Sequence, residues 1–272
     1  MMDLKNKTVI ITGASSGIGR SCAKEFAKRG ANLVLGARQY ANLCEIALEL
    51  ENRYGIRALA VQCDVSKETD CEELIKQAVL SFQCIDVLVN NAGISMRALF
   101  KDLDLLVLRN LMDVNFWGAV YCTKYALPEL LKNRGSVVGV SSIAGYRGLP
   151  GRTGYSASKF ALNGFLEALR VENLKTGLHV MVASPGFTAS NIRNVALVKD
   201  GTAQGETSMD EDKMMSSDEV AKIIVNGVEH RKRSLIMTGQ GKLTVFLNKF
   251  LPGWLDYLVY NHFTKEKDPL IK

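Results

Sequence analysis

Thr8-Val-Ile-Ile-Thr12-Gly-Ala-Ser-Ser-Gly17-Ile-Gly19 is the stretch that decides the fold. Its first five residues are an apolar, β-branched run, the pattern of a parallel strand buried on both faces. Glycines follow at once, at positions 13, 17 and 19. Behind them Arg20-Ser-Cys-Ala-Lys-Glu-Phe-Ala-Lys-Arg29 carries helical spacing. Ile18, Cys22, Phe26 and Ala27 lie on or near one face, and Gly30 is the stop. Strand, glycine turn and helix, in that order, make the context a dinucleotide-binding loop requires. Glycine lets the backbone approach a pyrophosphate, and the helix N-terminus offers unpaired N–H groups and a positive dipole end. The spacing is Gly-x-x-x-Gly-x-Gly, not the commoner Gly-x-Gly-x-x-Gly.

The same alternation continues outward. Strands are expected at 7–12, 31–36, 57–62, 85–89, 135–141, 178–183 and 234–237. Helices are expected at 17–29, 39–53, 67–82, 103–132, 153–176, 217–231 and near 243–260. This order argues for a parallel sheet covered on both faces, and right-handed crossovers make it a doubly wound, Rossmann-like α/β fold. A chain of 272 residues, 47% hydrophobic and 23% charged, can bury one large core and reads as a single catalytic domain over 1–272. Residues 187–216 break the alternation. They are irregular, rich in Gly, Ser, Thr and Met, and end in Asp210-Glu-Asp212, which reads as a functional loop. Ser216-x-x-Glu219 then reads as a capping box opening the next helix.

Chemistry is concentrated in Ser142, Tyr155 and Lys159. Within a helix over 153–176, Tyr155 and Lys159 share one face. A free phenol has a pKa near 10 and relays protons poorly at neutral pH. An ammonium about 4 Å away, at an effective dielectric of about 20, favours the phenolate by roughly 4 kcal/mol. That is enough to bring the phenol into the range where it can give or take a proton. Ser142 would then hold the oxygen of the reacting group. Taken alone, a Tyr-x-x-x-Lys pair is an ordinary surface pair of a helix; the glycine loop upstream changes that reading.

Composition narrows the other classes. The net charge of +6 is modest, and no dense basic stripe with interleaved aromatics is present, so nucleic-acid binding has little support. Arg231-Lys-Arg233 reads as cations complementing a helix C-terminus. Six cysteines, at 22, 44, 63, 71, 84 and 122, show no Cys-x-x-Cys and no metal-ligand spacing with histidine. They read as reduced thiols and no metal is implied, which suits a cytoplasmic protein. The start, Met1-Met-Asp-Leu-Lys-Asn-Lys-Thr8, carries no signal-peptide pattern.

Jointly these motifs resemble those of the short-chain dehydrogenases/reductases. The resemblance rests on Thr12-Gly-Ala-Ser-Ser-Gly-Ile-Gly19, Asp64-Val65, Asn90-Asn-Ala-Gly93, Asn115, Ser142, Tyr155-x-x-x-Lys159 and Pro185-Gly186, and it covers about residues 5–240. It implies seven strands in the order 3-2-1-4-5-6-7. It also implies hydride transfer between a nicotinamide and a carbonyl carbon, with Tyr155 as acid/base. Lys159 would then contact the nicotinamide ribose. The loop residues Gly13, Ser15, Ser16, Gly17, Ile18 and Gly19 would hold the pyrophosphate. Asp64 would bond the adenine amine and Val65 offer a backbone N–H. Asn91, Ala92 and Gly93 would line the adenosine ribose, and Pro185, Gly186 and Thr188 the carboxamide. The simpler reading of Asn90-Asn-Ala-Gly93 is a turn. Asn115, inside the expected helix 103–132, implies a bent helix whose carbonyl holds a water feeding Lys159; a buried Asn satisfied by backbone is the simpler reading. A homodimer or homotetramer is implied through the helices near 103–132 and 153–176.

The end of the second strand, Asn32-Leu-Val-Leu-Gly-Ala-Arg38, points to NADP(H). An NAD site places an acid there for the ribose hydroxyls, whereas Arg38 offers a fork for a 2′-phosphate. Ser15 could add a hydroxyl. The simpler reading of Arg38 is a cap on a solvent-facing turn. Ser16 stands where the family often carries a basic residue for NADP, so that second signal is missing. The segment 141–150 and the loop 187–216 are expected to surround the substrate, and their apolar content suggests an apolar ketone or secondary alcohol. Steroids, bile acids, long acyl chains and sphingoid ketones all fit. In the apolar C-terminal extension, about 241–263, Leu243, Phe246, Leu247, Phe250, Leu251, Trp254, Leu255, Leu258 and Val259 form a stripe, with Pro252 kinking it. A lid, an oligomer contact and a membrane-surface anchor are the competing readings, packing on protein being favoured over membrane contact. A non-catalytic NADP(H)-sensing module is the reading from another class, against which the complete acid/base set argues.

Overall fold

The computed structural model describes residues 1–189, 192–205, 214–265 and 269–271. The buried run Thr8–Thr12 forms strand β1, which every other part of the sheet is built around. On one side it pairs in parallel with β2 (Asn32–Ala37), Ile10 opposite Val34, and β2 pairs with β3 (Ala58–Gln62). On the other side it pairs with β4 (Val87–Asn90), followed outward by β5 (Ser136–Val140) and β6 (His179–Ser184). Two two-residue strands, β7 (Thr188–Ala189) and β8 (Met215–Ser216), pair with each other outside this sheet. The outermost strand is therefore β9 (Ser234–Ile236), and the order is β3-β2-β1-β4-β5-β6-β9, all parallel. This is the expected doubly wound sheet; its seventh strand is β9 only because β7 and β8 intervene.

Why the strands read as unbroken apolar runs is visible in the core. Val9 and Ile11 face one apolar cluster with Phe26, Leu43 and Ile224. These come from α1 (Gly17–Lys28), α2 (Tyr40–Tyr54) and α7 (Ser217–Glu229). Ile10 faces a second cluster with Leu74, Cys122 and Leu166. These come from α3 (Glu68–Phe82), α5 (Gly118–Lys132) and α6 (Thr153–Glu172). Successive strand residues point to opposite faces, so both faces need apolar cover. The strand order reverses between β2 and β4, on either side of β1. Their carboxyl ends therefore splay apart and leave a crevice where ligands bind in such sheets.

Two expected helices are divided. The helix expected over 103–132 is α4 (Leu105–Met112), a π-turn over Asp113–Trp117, then α5. The C-terminal one is α8 (Gly239–Phe250) and α9 (Pro252–Phe263), separated at Leu251. Proline at the first position of α9 starts a new helix there rather than kinking one. Among the described residues of 187–216, Leu197 straps the loop to the segment after β4. Leu197 accepts from the Arg97 N–H at 2.8 Å and donates to the Ser95 carbonyl at 2.9 Å. Asp210-Glu-Asp212 lies outside the described residues. The capping box is formed: the Ser216 hydroxyl accepts from the Glu219 N–H at 3.2 Å, and the Glu219 carboxylate accepts from the Ser216 N–H at 2.8 Å. All six cysteines are free thiols.

Candidate active site

The carboxyl ends of β1, β2, β4, β5 and β6 open onto one cleft of about 1300 Å³. Its floor at β1 is the glycine loop. Gly13 (φ +65°) and Gly17 (φ +51°) take backbone conformations that side chains disfavour. A Cβ on Gly13 would lie 2.8 Å from the Ala92 Cα, and one on Gly19 only 2.2 Å from the Gly13 carbonyl. Gly19 therefore lies behind the wall and lets α1 close against the loop. Asn91 latches the two sides together, its amide donating to the Thr12 carbonyl at 2.9 Å and the Gly13 carbonyl at 3.2 Å. The Thr12 hydroxyl accepts from the N–H groups of Asn91 and Ala92. Ser15, Ser16, Gly17 and Ile18 face the cleft.

Towards β2 and β3 the cleft is lined by Arg38, Asn42, Asp64 and Val65. Arg38 is exposed, and among the described residues its guanidinium has no charged partner. No acid stands on the last residues of β2. Asp64 uses one oxygen on the Ser66 N–H and O–H, at 3.1 and 2.8 Å. Asn42 donates to the Ser15 carbonyl at 3.2 Å, tying α2 to the glycine loop. Nothing in the spacing of the sequence singled out Asn42 or the Thr12 latch.

Beyond β5 the three reactive side chains meet. Ser142 opens a short turn, its hydroxyl accepting from the Ala144 N–H at 3.2 Å, and it lies near enough to the Tyr155 hydroxyl to favour the phenolate. Lys159 is buried and donates to the Val140 carbonyl at 2.9 Å. Its amine lies 5.8 Å from the centre of the Tyr155 ring. The expected acidification of Tyr155 is not what the structure gives. Burial raises the phenol above its ordinary value, and the Ser142 hydroxyl and the Arg152 charge offset this only in part. Burial also lowers Lys159 to about 8, so the amine holds its charge less firmly than an exposed ammonium. The expectation failed because it counted only the attraction between the two groups and left out the cost of burying them, and because the amine is directed at a carbonyl.

Asn115 sits in the π-turn and is buried outside the cleft. Its Oδ1 accepts from the Ile94 N–H at 2.8 Å; its amide donates to the Ile94 carbonyl at 3.0 Å and the Ser158 hydroxyl at 2.9 Å. The simpler reading of Asn115 is thus what the geometry gives: the side chain is satisfied by the Ile94 backbone and by Ser158, within a π-turn. A Cβ on Gly93 would meet the Asn115 Oδ1 at 3.2 Å and the Lys159 amine at 3.5 Å, so Gly93 is the gap through which both approach the cleft. Pro185, Gly186 and Thr188 line the side after β6, where Gly186 packs against Thr238. The glycine-built cradle and the splayed strand ends fit a dinucleotide.

The model of the short chain dehydrogenase family matches residues 7–199. The chain belongs to the short-chain dehydrogenase family. It is 40% identical over 263 residues to 11-beta-hydroxysteroid dehydrogenase A of Arachis hypogaea, covering 94% of this chain and 72% of that one. Among solved structures, an alcohol dehydrogenase from the archaeon Thermococcus sibiricus, complexed with 5-hydroxy-NADP, superposes with a TM-score of 0.73. It is 25% identical and covers 85% of this chain and 95% of that one. A short chain dehydrogenase/reductase from Burkholderia phymatum, in complex with NAD, has a TM-score of 0.83 at 21% identity, covering 94% and 97%. As a short-chain dehydrogenase the protein is a nicotinamide-dependent oxidoreductase acting on hydroxyl or carbonyl groups.

In this short-chain dehydrogenase the half of the cleft beyond Tyr155 is mostly apolar. Ile94, Leu149, Phe187 and Leu197 line one side, and Leu247 and Leu255 of the last helices the other. Arg193, buried, also lines it, and nothing in its sequence context singles it out. The same holds for Arg152, whose charge reaches Tyr155 from three residues upstream.

Proposed function

We propose that this short-chain dehydrogenase interconverts an apolar ketone and its secondary alcohol using NADP(H), with Tyr155 as the acid/base. The observation that carries this is Tyr155 beside Ser142 in the cleft wall, where the glycine-built half of the cleft meets the mostly apolar half. A bound nicotinamide would supply or accept the hydride. Ser142 orients the substrate oxygen and stabilises charge that develops on it. Tyr155 keeps its proton at neutral pH in the free protein, which suits donation to that oxygen during reduction. Lys159 fixes the ribose side of the site and, with its lowered pKa, can pass a proton on. Asn115 holds the wall at Gly93 in place. Arg38, in the absence of an acid on β2, supports a 2′-phosphate and hence NADP(H). The name of the Arachis hypogaea relative supports a hydroxysteroid-type or other lipid-like substrate. Exposed Leu105, Leu106, Trp117 and Phe160 on α4 to α6 support assembly with a second copy, and the free thiols suit the cytoplasm.

One experiment tests the reading. Tyr155→Phe should bind NADPH as the wild type does, more tightly than NADH, while turnover of a ketone panel falls by about a thousandfold or more. Retained turnover would remove Tyr155 from its role, and a preference for NADH would remove NADP(H). A wild type that binds NADPH and turns over nothing would favour a sensor.

A further inference from the structure

Helices α8 and α9 have two unlike sides. Leu243, Leu247, Leu255 and Leu258 line the cleft. Outside it, Phe246, Phe250, Trp254 and Tyr257 are 60%, 60%, 54% and 73% exposed, within twelve residues of chain. The rings of Phe246 and Phe250 lie 4.9 Å apart, so these two form one apolar surface on α8, with exposed Trp254 and Tyr257 following on α9. Trp and Tyr, apolar bodies with a polar tip, favour the boundary between lipid and water.

Charge says what such a patch would meet. Lys242 and Lys249 are exposed beside it on α8, and the Lys249 amine lies 5.7 Å from the centre of the Phe250 ring. Within α8 and α9 the one acid is Asp256, and it is paired with Arg147. An apolar surface with a cationic rim matches a bilayer carrying anionic headgroups. No helix among the described residues is long and apolar enough to cross a membrane, and α8 and α9 have 12 residues each. Leu243 and Leu258 belong both to the cleft lining and to the exposed patch, so the cleft opens within it. A protein seated there would cap that opening, whereas a fluid bilayer could feed it.

We propose that the α8–α9 face lies in the plane of an anionic bilayer surface and turns the cleft's opening toward the lipid. The docking stands on this surface alone; loading of substrate from the lipid rests on the proposed reaction. The full chain is floated with vesicles of phosphatidylcholine, or of two parts phosphatidylcholine to one part phosphatidylserine. It should float with the mixed vesicles, and Lys242→Glu/Lys249→Glu should weaken that by about tenfold or more. Phe246→Ser/Phe250→Ser should abolish it, leaving turnover of a small water-soluble ketone without vesicles as in the wild type. In a Trp117→Phe background, brominated-chain lipids should quench Trp254. No flotation and no quenching would overturn the proposal, whatever the activity shows. So would a concentration-dependent dimer that Phe246→Ser/Phe250→Ser abolishes without lipid binding, which would assign the face to a second copy. Equal binding by the charge-reversed variant would remove the anionic headgroup from the recognition.

Discussion

Burial of the Lys159 charge costs the fold stability at neutral pH. Its amine is lowered to about 8 in the folded protein, against an unfolded value near 10.4. Between those values the unfolded chain holds the proton more firmly than the folded one, so the penalty is full below about pH 8 and fades as pH rises toward 10.4. Stability of the wild type should therefore rise relative to Lys159→Met by about 2 kcal/mol between pH 7 and pH 9.5, measured by urea unfolding of both proteins. Any effect of Tyr155, whose raised pKa acts in the opposite sense above pH 10, is shared by both and largely cancels. A gap that stays constant with pH would mean that the amine keeps an ordinary pKa. Which residues meet here was legible in the four-residue spacing of Tyr155 and Lys159. The sense of their electrostatics was not, because it depends on the Val140 carbonyl and on burial, neither of which leaves a mark in the spacing.

The helix expected over 103–132 shows what spacing can and cannot say about an element. Asn115 and Gly118 inside it are both unfavourable there, which signalled a disturbance but not its form. The structure answers with the π-turn over Asp113–Trp117 and with a close contact at Gly118. A Cβ on Gly118 would lie 2.8 Å from the Val65 Cβ and 3.0 Å from the Val65 carbonyl. The missing side chain is what lets the start of α5 press against the loop after β3. By propensity alone Gly118→Ala should stabilise a helix by about 1 kcal/mol. Here it should instead push Val65 into the adenosine end of the cleft and weaken nicotinamide cofactor binding by about tenfold, read by titration of cofactor fluorescence. The capping box at Ser216, by contrast, was fully legible, since it needs only residues three apart. Contacts such as Gly118 with Val65 join distant parts of the chain, and a single sequence does not record them.

At the scale of the whole molecule the sheet and the glycine-built half of the cleft were readable from the chain, because they depend on strand period and on glycines in a fixed order. The apolar half was readable only in part: the segment 141–150 and the loop 187–216 were expected around it and do supply Leu149, Phe187 and Leu197. Ile94 was not foreseen, and the last two helices were left open between a lid and other roles, because no local pattern ties them to the site. The C-terminal stripe itself was visible, but its division into a cleft-facing and an outward side required α9 to fold back at Pro252. The two halves should therefore separate on truncation. A chain ending after Thr238 keeps β9, whose Met237 N–H still reaches the Ser184 carbonyl. It loses Leu247 and Leu255 from the substrate wall, and Arg147 loses Asn248 and Asp256. Cofactor affinity should stay within a few fold of the full chain. The KM for a long apolar ketone should rise by about tenfold or more, since one buried leucine contact is worth about 1.5 kcal/mol or more. A small ketone that does not reach α8 and α9 should be affected far less. If both ketones lose equally, with the cofactor still bound, the last helices support Ser142 and Tyr155 through the 143–147 turn rather than holding substrate.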